Sequence, residues 1–164
     1  MSQNKHVLPV TSPADLRKTG HLLLTGQTPM ISQILLALWK HRRKREIEIG
    51  VFDFTPEQHL ATTSDKLDDD TDFCIEYHVT SVEVAKRALE ELQLAFDYRK
   101  ETPSAPGTWV LLVDGFTEDA FDLFKDYLKD GKKARMYVIA NTKSGVLREP
   151  LHHAFDTVIG DPEH

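Results

Sequence analysis

Apolar runs and segments of helical periodicity alternate along this chain. Continuous runs of aliphatic and aromatic residues, closed by turn-forming residues, are typical of strands buried on both faces of a sheet. Such runs predict strands over residues 21–26, 47–54, 109–113, 136–140 and 157–159. Residues 73–79 alternate between apolar and polar side chains, which favours a half-buried strand at the edge of the sheet.

Four segments between these runs have the pattern of helices. Residues 30–45 are apolar on nearly every side before a basic end, which predicts a central helix. A capping-box spacing opens a second helix at residues 80–83, and Thr117 is placed to cap a third helix, which Gly131 ends. Residues 147–155 predict a short fourth helix. This alternation predicts an α/β domain with a mostly parallel sheet, flanked by helices on both faces.

Composition narrows the class of protein. The chain has 164 residues, with 20 Lys and Arg against 26 Asp and Glu, and a formal net charge of −6. This length fits a single domain over residues 1–164, and the net acidity argues against a dedicated nucleic-acid binder. The one cysteine, Cys74, excludes a disulfide framework and a Cys-based zinc site, and we expect no metal centre. No apolar run approaches the roughly 20 residues that cross a bilayer, so we expect no direct membrane contact.

The loop after the first predicted strand is a candidate phosphate site, because ligands of parallel α/β sheets lie beyond the carboxyl ends of the strands. It contains Gly26, Gln27, Thr28 and Pro29. A phosphate-binding loop needs further glycines for close backbone approach and a lysine for the β- and γ-phosphates, and this loop has neither. Pro29 also removes an N–H at the helix start, where anions bind. A plain strand-to-helix turn is the simpler interpretation.

A second candidate position is Asp114, which directly follows the buried run 109–113. In ATPases an aspartate at this point orients Mg²⁺. The residue after it is usually a carboxylate that activates water, but here it is Gly115. An aspartate after a buried strand is also a common turn former, so both interpretations stay open.

Taken in order, these segments resemble the FtsK/SpoIIIE-type P-loop ATPase domain of bacterial translocases, over about residues 10–161. The segment at 10–26 reads VTSPADLRKTGHLLLTG and is similar to the family's short N-terminal strand followed by PHLLIAG. The segment at 109–116 reads WVLLVDGF and resembles IVVLVDEF. The segment at 135–144 reads RMYVIANTKS and resembles HLVLATQRPS. The resemblance implies a P-loop NTPase-like fold of the RecA/FtsK type, with residues 1–19 as lead-in strand and linker and 20–161 as core.

The chain departs from the family at each catalytic element. The first loop is short and lacks its lysine, Gly115 replaces the glutamate that activates water, and Thr142 replaces the sensor glutamine. Losing charge-stabilising groups at such sites costs several orders of magnitude in rate. The sequence therefore predicts a pseudo-ATPase that does not need the family's cofactors, ATP and Mg²⁺. The remnant of the nucleotide site would comprise Gly26, Gln27, Thr28, Pro29, Asp114 and Thr142.

Degenerate domains of this type occur in the multi-domain motors of type VII secretion (EssC/EccC/YukB-like). The resemblance implies protein partners, either neighbouring ATPase domains or a helical secretion substrate, and an oligomer within a larger assembly. It also implies a cytoplasmic domain tethered to a membrane complex. We expect the partner to contact an apolar surface near the vacated nucleotide pocket, at Met30, Gly115 and Phe116.

Two alternatives remain open. The first is a divergent ATPase whose site is completed by a partner, with Asp114 as a working remnant. The second is an accessory of DNA translocation or conjugation that binds duplex DNA through a basic patch. That patch would comprise Lys40, Arg42, Arg43, Lys44 and Arg45. The acidic net charge makes DNA the least favoured partner, and a helix C-terminus rich in cations already explains the patch.

Overall fold

The computed structural model describes residues 8–68, 77–143 and 148–160. The described strands are β1 (Leu22–Thr25), β2 (Ile47–Asp53), β3 (Tyr77–Val79), β4 (Thr108–Asp114), β5 (Met136–Thr142) and β6 (Thr157–Ile159). The described helices are α1 (Pro13–Thr19), α2 (Thr28–Arg43), α3 (His59–Asp68), α4 (Val82–Glu101), α5 (Glu118–Asp130) and α6 (Glu149–His152). A short 3₁₀ helix, Gly131–Ala134, follows α5.

The six described strands form one sheet in the order β3-β2-β4-β5-β1-β6. Every pair of neighbouring strands is parallel. The prediction of an α/β domain with a parallel sheet is therefore confirmed. The predicted edge strand does lie at an edge, as β3, although residues 73–76 of that prediction fall outside the described part of the chain.

Helices cover both faces of the sheet, as predicted. The side chains of β1 alternate between the faces, because neighbouring residues of a strand point to opposite sides. Leu22 and Leu24 pack with the apolar stripe of α2, including Ile34, and with Leu60 of α3. Leu23 packs on the other face, in the cluster that contains the buried residues of α4 and α5. The sheet is thus buried on both sides, which explains the continuous apolar runs of its strands.

Two segments differ from the sequence prediction. Residues 13–19 form helix α1 instead of belonging to a lead-in strand and linker, because Ser12 accepts a hydrogen bond from the backbone N–H of Asp15 and a proline fits the first turn. The sequence pattern assigns no helix between the predicted strands 47–54 and 73–79, but this segment contains α3. The buried carboxylate of Asp53 accepts a hydrogen bond from the N–H of Ala61 at 2.9 Å, and so supplies the cap that the local sequence lacks.

The helix ends are partly as predicted. Thr117 caps α5 by accepting from the N–H of Ala120, as expected. Ser81, not Thr80, caps α4, since its hydroxyl accepts from the N–H of Val84. Gly131 does not turn the chain in the left-handed conformation of a terminal glycine; its φ of −60° continues into the 3₁₀ helix, and the left-handed residue is Arg135. Within the described ranges no helix has the length and hydrophobicity needed to span a bilayer.

Candidate functional site

The carboxyl ends of the central strands place three polar side chains in one row. Asp53 of β2 is the register partner of Asp114 of β4, and Asp114 is the register partner of Asn141 of β5. Leu24 of β1 is the next residue in the row, one residue before the strand ends. Register partners lie side by side across the sheet, so this row brings the ends of β1, β2, β4 and β5 to one edge.

Asp114 is the most perturbed group of this row. Its side chain is 1% exposed. The Oδ1 atom accepts hydrogen bonds from the Gly115 N–H at 2.9 Å and from Asn141 Nδ2 at 3.0 Å. Within the part of the chain that the structure describes, Oδ2 has no hydrogen-bond partner. Burial raises the pKa of Asp114 above its usual value and the nearby Asp53 carboxylate adds to the rise, while the Asn141 and Gly115 hydrogen bonds oppose it.

Both carboxylate oxygens of Asp53, by contrast, accept hydrogen bonds from the β2–α3 connection and α3. Its Oδ1 accepts hydrogen bonds from the backbone N–H and the hydroxyl of Thr55, at 3.0 and 2.7 Å. Its Oδ2 accepts from the N–H of Ala61 in the first turn of α3. This carboxylate therefore shapes the β2–α3 connection and has a structural role.

Asn141 ties the loop after β1 to Asp114. Its Oδ1 accepts a hydrogen bond from the backbone N–H of Gln27 at 2.9 Å, while its Nδ2 donates to Asp114. The N–H of Gly26 donates to the carbonyl of Thr142 at 2.7 Å, and the buried Thr142 hydroxyl donates to the carbonyl of Phe116 at 2.6 Å. The structure thus brings together Gly26, Gln27, Asp114 and Thr142 of the predicted remnant.

A pocket of about 240 Å³ opens beside Asp114, and we call it the Asp114 pocket. It is lined by Phe54, Thr55, Pro56, Glu57, Asp114, Gly115, Phe116, Thr117, Asn141 and Lys143. Gly115 and Phe116 of the predicted partner surface belong to it, although Phe116 is fully buried. Met30 does not, because it packs against the core on the α2 face of the sheet.

Pro29 lines a different pocket, with Ser32 and His59. The side chain of Thr28 lies outside what the structure describes.

The residues present do not fit a cradle for Mg²⁺ and a nucleotide. Helix α2 begins at Thr28, only the two residues Gly26 and Gln27 after β1, and the N–H groups of both are bound to β5. The loop has no lysine. Gly115, where the resemblance to ATPase domains implies a catalytic carboxylate, has φ of +77°, and a Cβ there would lie 3.1 Å from the Phe54 carbonyl carbon and the Thr55 nitrogen. A glutamate at this position would therefore be strained.

The candidate basic patch is less continuous than the sequence suggests. Lys40, Lys44 and Arg45 are exposed. Arg42 is buried, and its Nε lies 3.5 Å from Glu48 Oε1 at the start of β2. The side chain of Arg43 is outside the described part. One of the five predicted cations thus serves an internal ion pair and is withdrawn from any phosphate-binding surface.

Sequence reasoning assigned no role to three residues of the site, Phe54, Asn141 and Lys143. The resemblance drew attention to Thr142, but the contact to Asp114 is made by its neighbour Asn141. A polar residue near the end of an otherwise apolar strand is the signal that could have identified Asn141. Phe54 and Lys143 carry no motif, and they reach the pocket only because β2 and β5 flank β4 in the sheet.

Comparison with solved structures finds ATPase domains with a similar fold. The cytoplasmic domain of the type VII secretion ATPase EccC from Thermomonospora curvata superposes with a TM-score of 0.67 and 14% identity, covering 95% of this chain. EssC (ATPases 2 and 3) from Geobacillus thermodenitrificans gives 0.59 and 12%, covering 84% of this chain. A third structure, described as an ATPase, gives 0.61 and 15%, covering 91% of this chain and 69% of its own.

This chain spans 22% of the EccC chain and 31% of the EssC chain. The sequence matches no protein-family model and no curated protein, so the likeness is one of structure. It agrees with the resemblance to FtsK/SpoIIIE-type domains. The chain has the fold of the ATPase domains found in type VII secretion motors.

Proposed function

We propose that this chain is a non-catalytic domain of a secretion motor that recognises a protein partner. The partner is either a neighbouring ATPase domain or a helical secretion substrate. The observation that carries the proposal is the bond from the Gln27 N–H to Asn141 Oδ1. This bond occupies a backbone N–H that a bound phosphate would need, and it holds the loop after β1 against β5.

The geometry at Gly115 supports the loss of catalysis independently of the loop. A general base for water needs a side chain directed at the reacting atoms. Gly115 has none, and its left-handed φ and the close backbone of Phe54 and Thr55 disfavour any replacement that carries a Cβ. Regaining the carboxylate would therefore need a change in the β2–α3 connection as well.

The comparison with EccC and EssC supports a proposed setting for the domain. The EssC structure holds ATPases 2 and 3 in one chain, and this chain matches only a fraction of its length, as it does for EccC. We propose that the domain works in the cytoplasm, inside an oligomeric assembly tethered to a membrane complex.

Nucleotide binding is the direct test. We expect Mg·ATP to produce no saturable heat in titration calorimetry up to about 1 mM, the concentration at which a binding free energy of only about −4 kcal/mol would show. The domain should also release no phosphate from ATP. Saturable micromolar binding would overturn the proposal.

One observation favours the alternative that the chain is a divergent ATPase. Asp114 is present, and its Oδ2 has no hydrogen-bond partner among the described residues. If ATP is hydrolysed, the variants Asp114→Asn and Asp122→Asn distinguish a divergent ATPase from a non-catalytic domain. Asp122 is an exposed carboxylate on α5 that lines a different pocket, with Gln93 and Asp126. Hydrolysis lost only in Asp114→Asn would establish the ATPase, whereas equal rates in both variants would indicate a contaminating activity.

A further inference from the structure

The Asp114 pocket contains an acceptor that the described chain leaves unsatisfied. Asp114 Oδ2 is buried and without a hydrogen-bond partner among the described residues, and Asp114 is one of the residues that line the pocket. A buried acceptor without a donor is destabilising, and more so when it is charged. A group that enters the pocket and donates a hydrogen bond would remove that destabilisation.

The charges around the pocket favour a cation. Two carboxylates line it, Asp114 at its buried end and Glu57 on the exposed side, against one ammonium group, Lys143. Lys143 forms no ion pair within 4.0 Å among the described residues, so it does not neutralise Asp114. The Asp53 carboxylate, on the register partner of Asp114 in β2, adds further negative charge.

The shape and the apolar walls indicate what kind of cation fits. About 240 Å³ is far more than one water needs, which is about 10–15 Å³. Phe54 and Pro56 supply apolar surface beside the carboxylates. A guanidinium suits such surroundings better than an ammonium, because it is planar, weakly hydrated, stacks on aromatic rings and offers several donors at once.

We infer that the Asp114 pocket receives an arginine side chain of the partner protein, with its guanidinium donating to Asp114 Oδ2 and its alkyl stem lying against Phe54 and Pro56. This inference rests on the proposed function, because it names the group by which the partner is recognised. It requires no nucleotide, and it makes Asp114 a recognition residue.

The probe is N-acetyl-arginine amide, titrated into the ¹⁵N-labelled domain and followed by amide chemical shifts. Its matched control is N-acetyl-citrulline amide, which has nearly the same shape without the charge. We expect the arginine compound to shift the amides of Gly115, Phe116 and Asn141, and the citrulline compound to bind about tenfold more weakly or not at all.

Three variants locate the effect. Asp114→Asn keeps the shape of the side chain and should weaken arginine binding about tenfold or more. Asp122→Asn, on another surface, should leave it unchanged. Lys143→Met should strengthen binding, since it removes a like charge from the pocket. The amide spectra of the variants report directly whether each one is folded.

Several results would overturn the inference. Equal binding of the arginine and citrulline compounds would mean that the charge is not recognised. Shifts on any other surface, or binding that survives Asp114→Asn, would place the ligand elsewhere. Shifts of the same amides by Mg²⁺ but not by arginine would indicate a metal site. The titration is independent of the ATP calorimetry, so a failure here leaves the non-catalytic assignment standing, and micromolar ATP binding would refute that assignment without touching the arginine result.

Discussion

The individual residues of the site owe their chemistry to neighbours far away in the sequence. Asp114 follows a buried strand in a pattern shared by many proteins, but its raised pKa comes from burial and from Asp53, 61 positions earlier. Asn141 is an ordinary polar residue until β5 pairs with both β4 and β1. It then bonds to a carboxylate on one side and a backbone N–H on the other.

Gly115 yields a prediction for a single residue. We expect Gly115→Ala to lower the free energy of unfolding by about 2–4 kcal/mol, since a left-handed φ costs about 1–2 kcal/mol and a crowded methyl group adds to it. Gly107→Ala is the matched control, because Gly107 also has a positive φ, of +85°, but its added methyl group would meet no described atom within 4 Å outside its chain neighbours. It should cost only about 1–2 kcal/mol in the same urea unfolding experiment. Equal losses would show that crowding at Gly115 is unimportant.

Among the helices and strands, α3 shows how an element can depend on a tertiary contact. Its sequence, HLATTSDKLD, contains two threonines and two aspartates, which are poor helix formers. Gln58, directly before it, has a left-handed φ of 53°. The helix is held by Leu60, which is fully buried against α2 and the sheet, and by the cap from Asp53. Local sequence alone therefore favours a loop here.

We expect Asp53→Ala to destabilise α3 more than the rest of the fold. The substitution leaves the Ala61 N–H without its acceptor and removes both bonds to Thr55, a loss of about 2–4 kcal/mol. Hydrogen exchange measures it: the amide of Ala61 should lose protection while the amides of β4 and β5 keep most of theirs. Asp119→Ala, an exposed position in the first turn of α5, should change protection by less than about 0.5 kcal/mol. Uniform loss of protection across the sheet would contradict a local role for Asp53.

In the molecule as a whole, His21 links segments from the two ends of the chain. Its Nδ1 accepts a hydrogen bond from the Val138 N–H of β5 at 3.1 Å, which fixes the neutral ring. Its backbone carbonyl accepts from the N–H groups of Asp156 and Thr157, at the start of β6. Burial lowers the pKa of His21 to about 4, and the charge of Asp156 only partly opposes this.

The fold should therefore weaken in mild acid. Because the unfolded chain takes up this proton near pH 6.5 and the folded chain only near pH 4, the stability contributed by neutral His21 is complete above about pH 6.5 and is lost as the pH falls toward 4. The loss amounts to about 3 kcal/mol. Urea unfolding at several pH values measures it.

His21→Leu tests the assignment of this pH dependence. It should lower stability at pH 7, since the Val138 N–H loses its acceptor, but it should flatten the dependence between pH 6.5 and 4. His153→Leu alters an exposed histidine and should keep the slope of the unaltered chain. If both variants retain the slope, other groups control the acid sensitivity.

The linear order of residues is sufficient to assign the class of fold. Apolar runs such as 109–113 and 136–140 are long enough to predict β4 and β5 without tertiary information, because strands buried on both faces must be apolar throughout. The order of these segments resembles that of FtsK-like domains, and the fold agrees with the resemblance. The missing lysine and Gly115 are the residue types on which the proposed loss of catalysis rests.

Which residues meet depends on the packing of the whole sheet. The strand order places β5 between β1 and β4, so that Asn141 and not Thr142 joins the first loop to Asp114. Tertiary packing also places Met30 and Phe116 in different hydrophobic clusters. It pairs Arg42 with Glu48, and it brings the carboxylate of Asp53 to the first turn of α3. Most of these contacts are not local, and their free energies arise from burial and pairing across the sheet. Sequence patterns give periodicity and composition, whereas the register between paired strands decides which residues meet at the site.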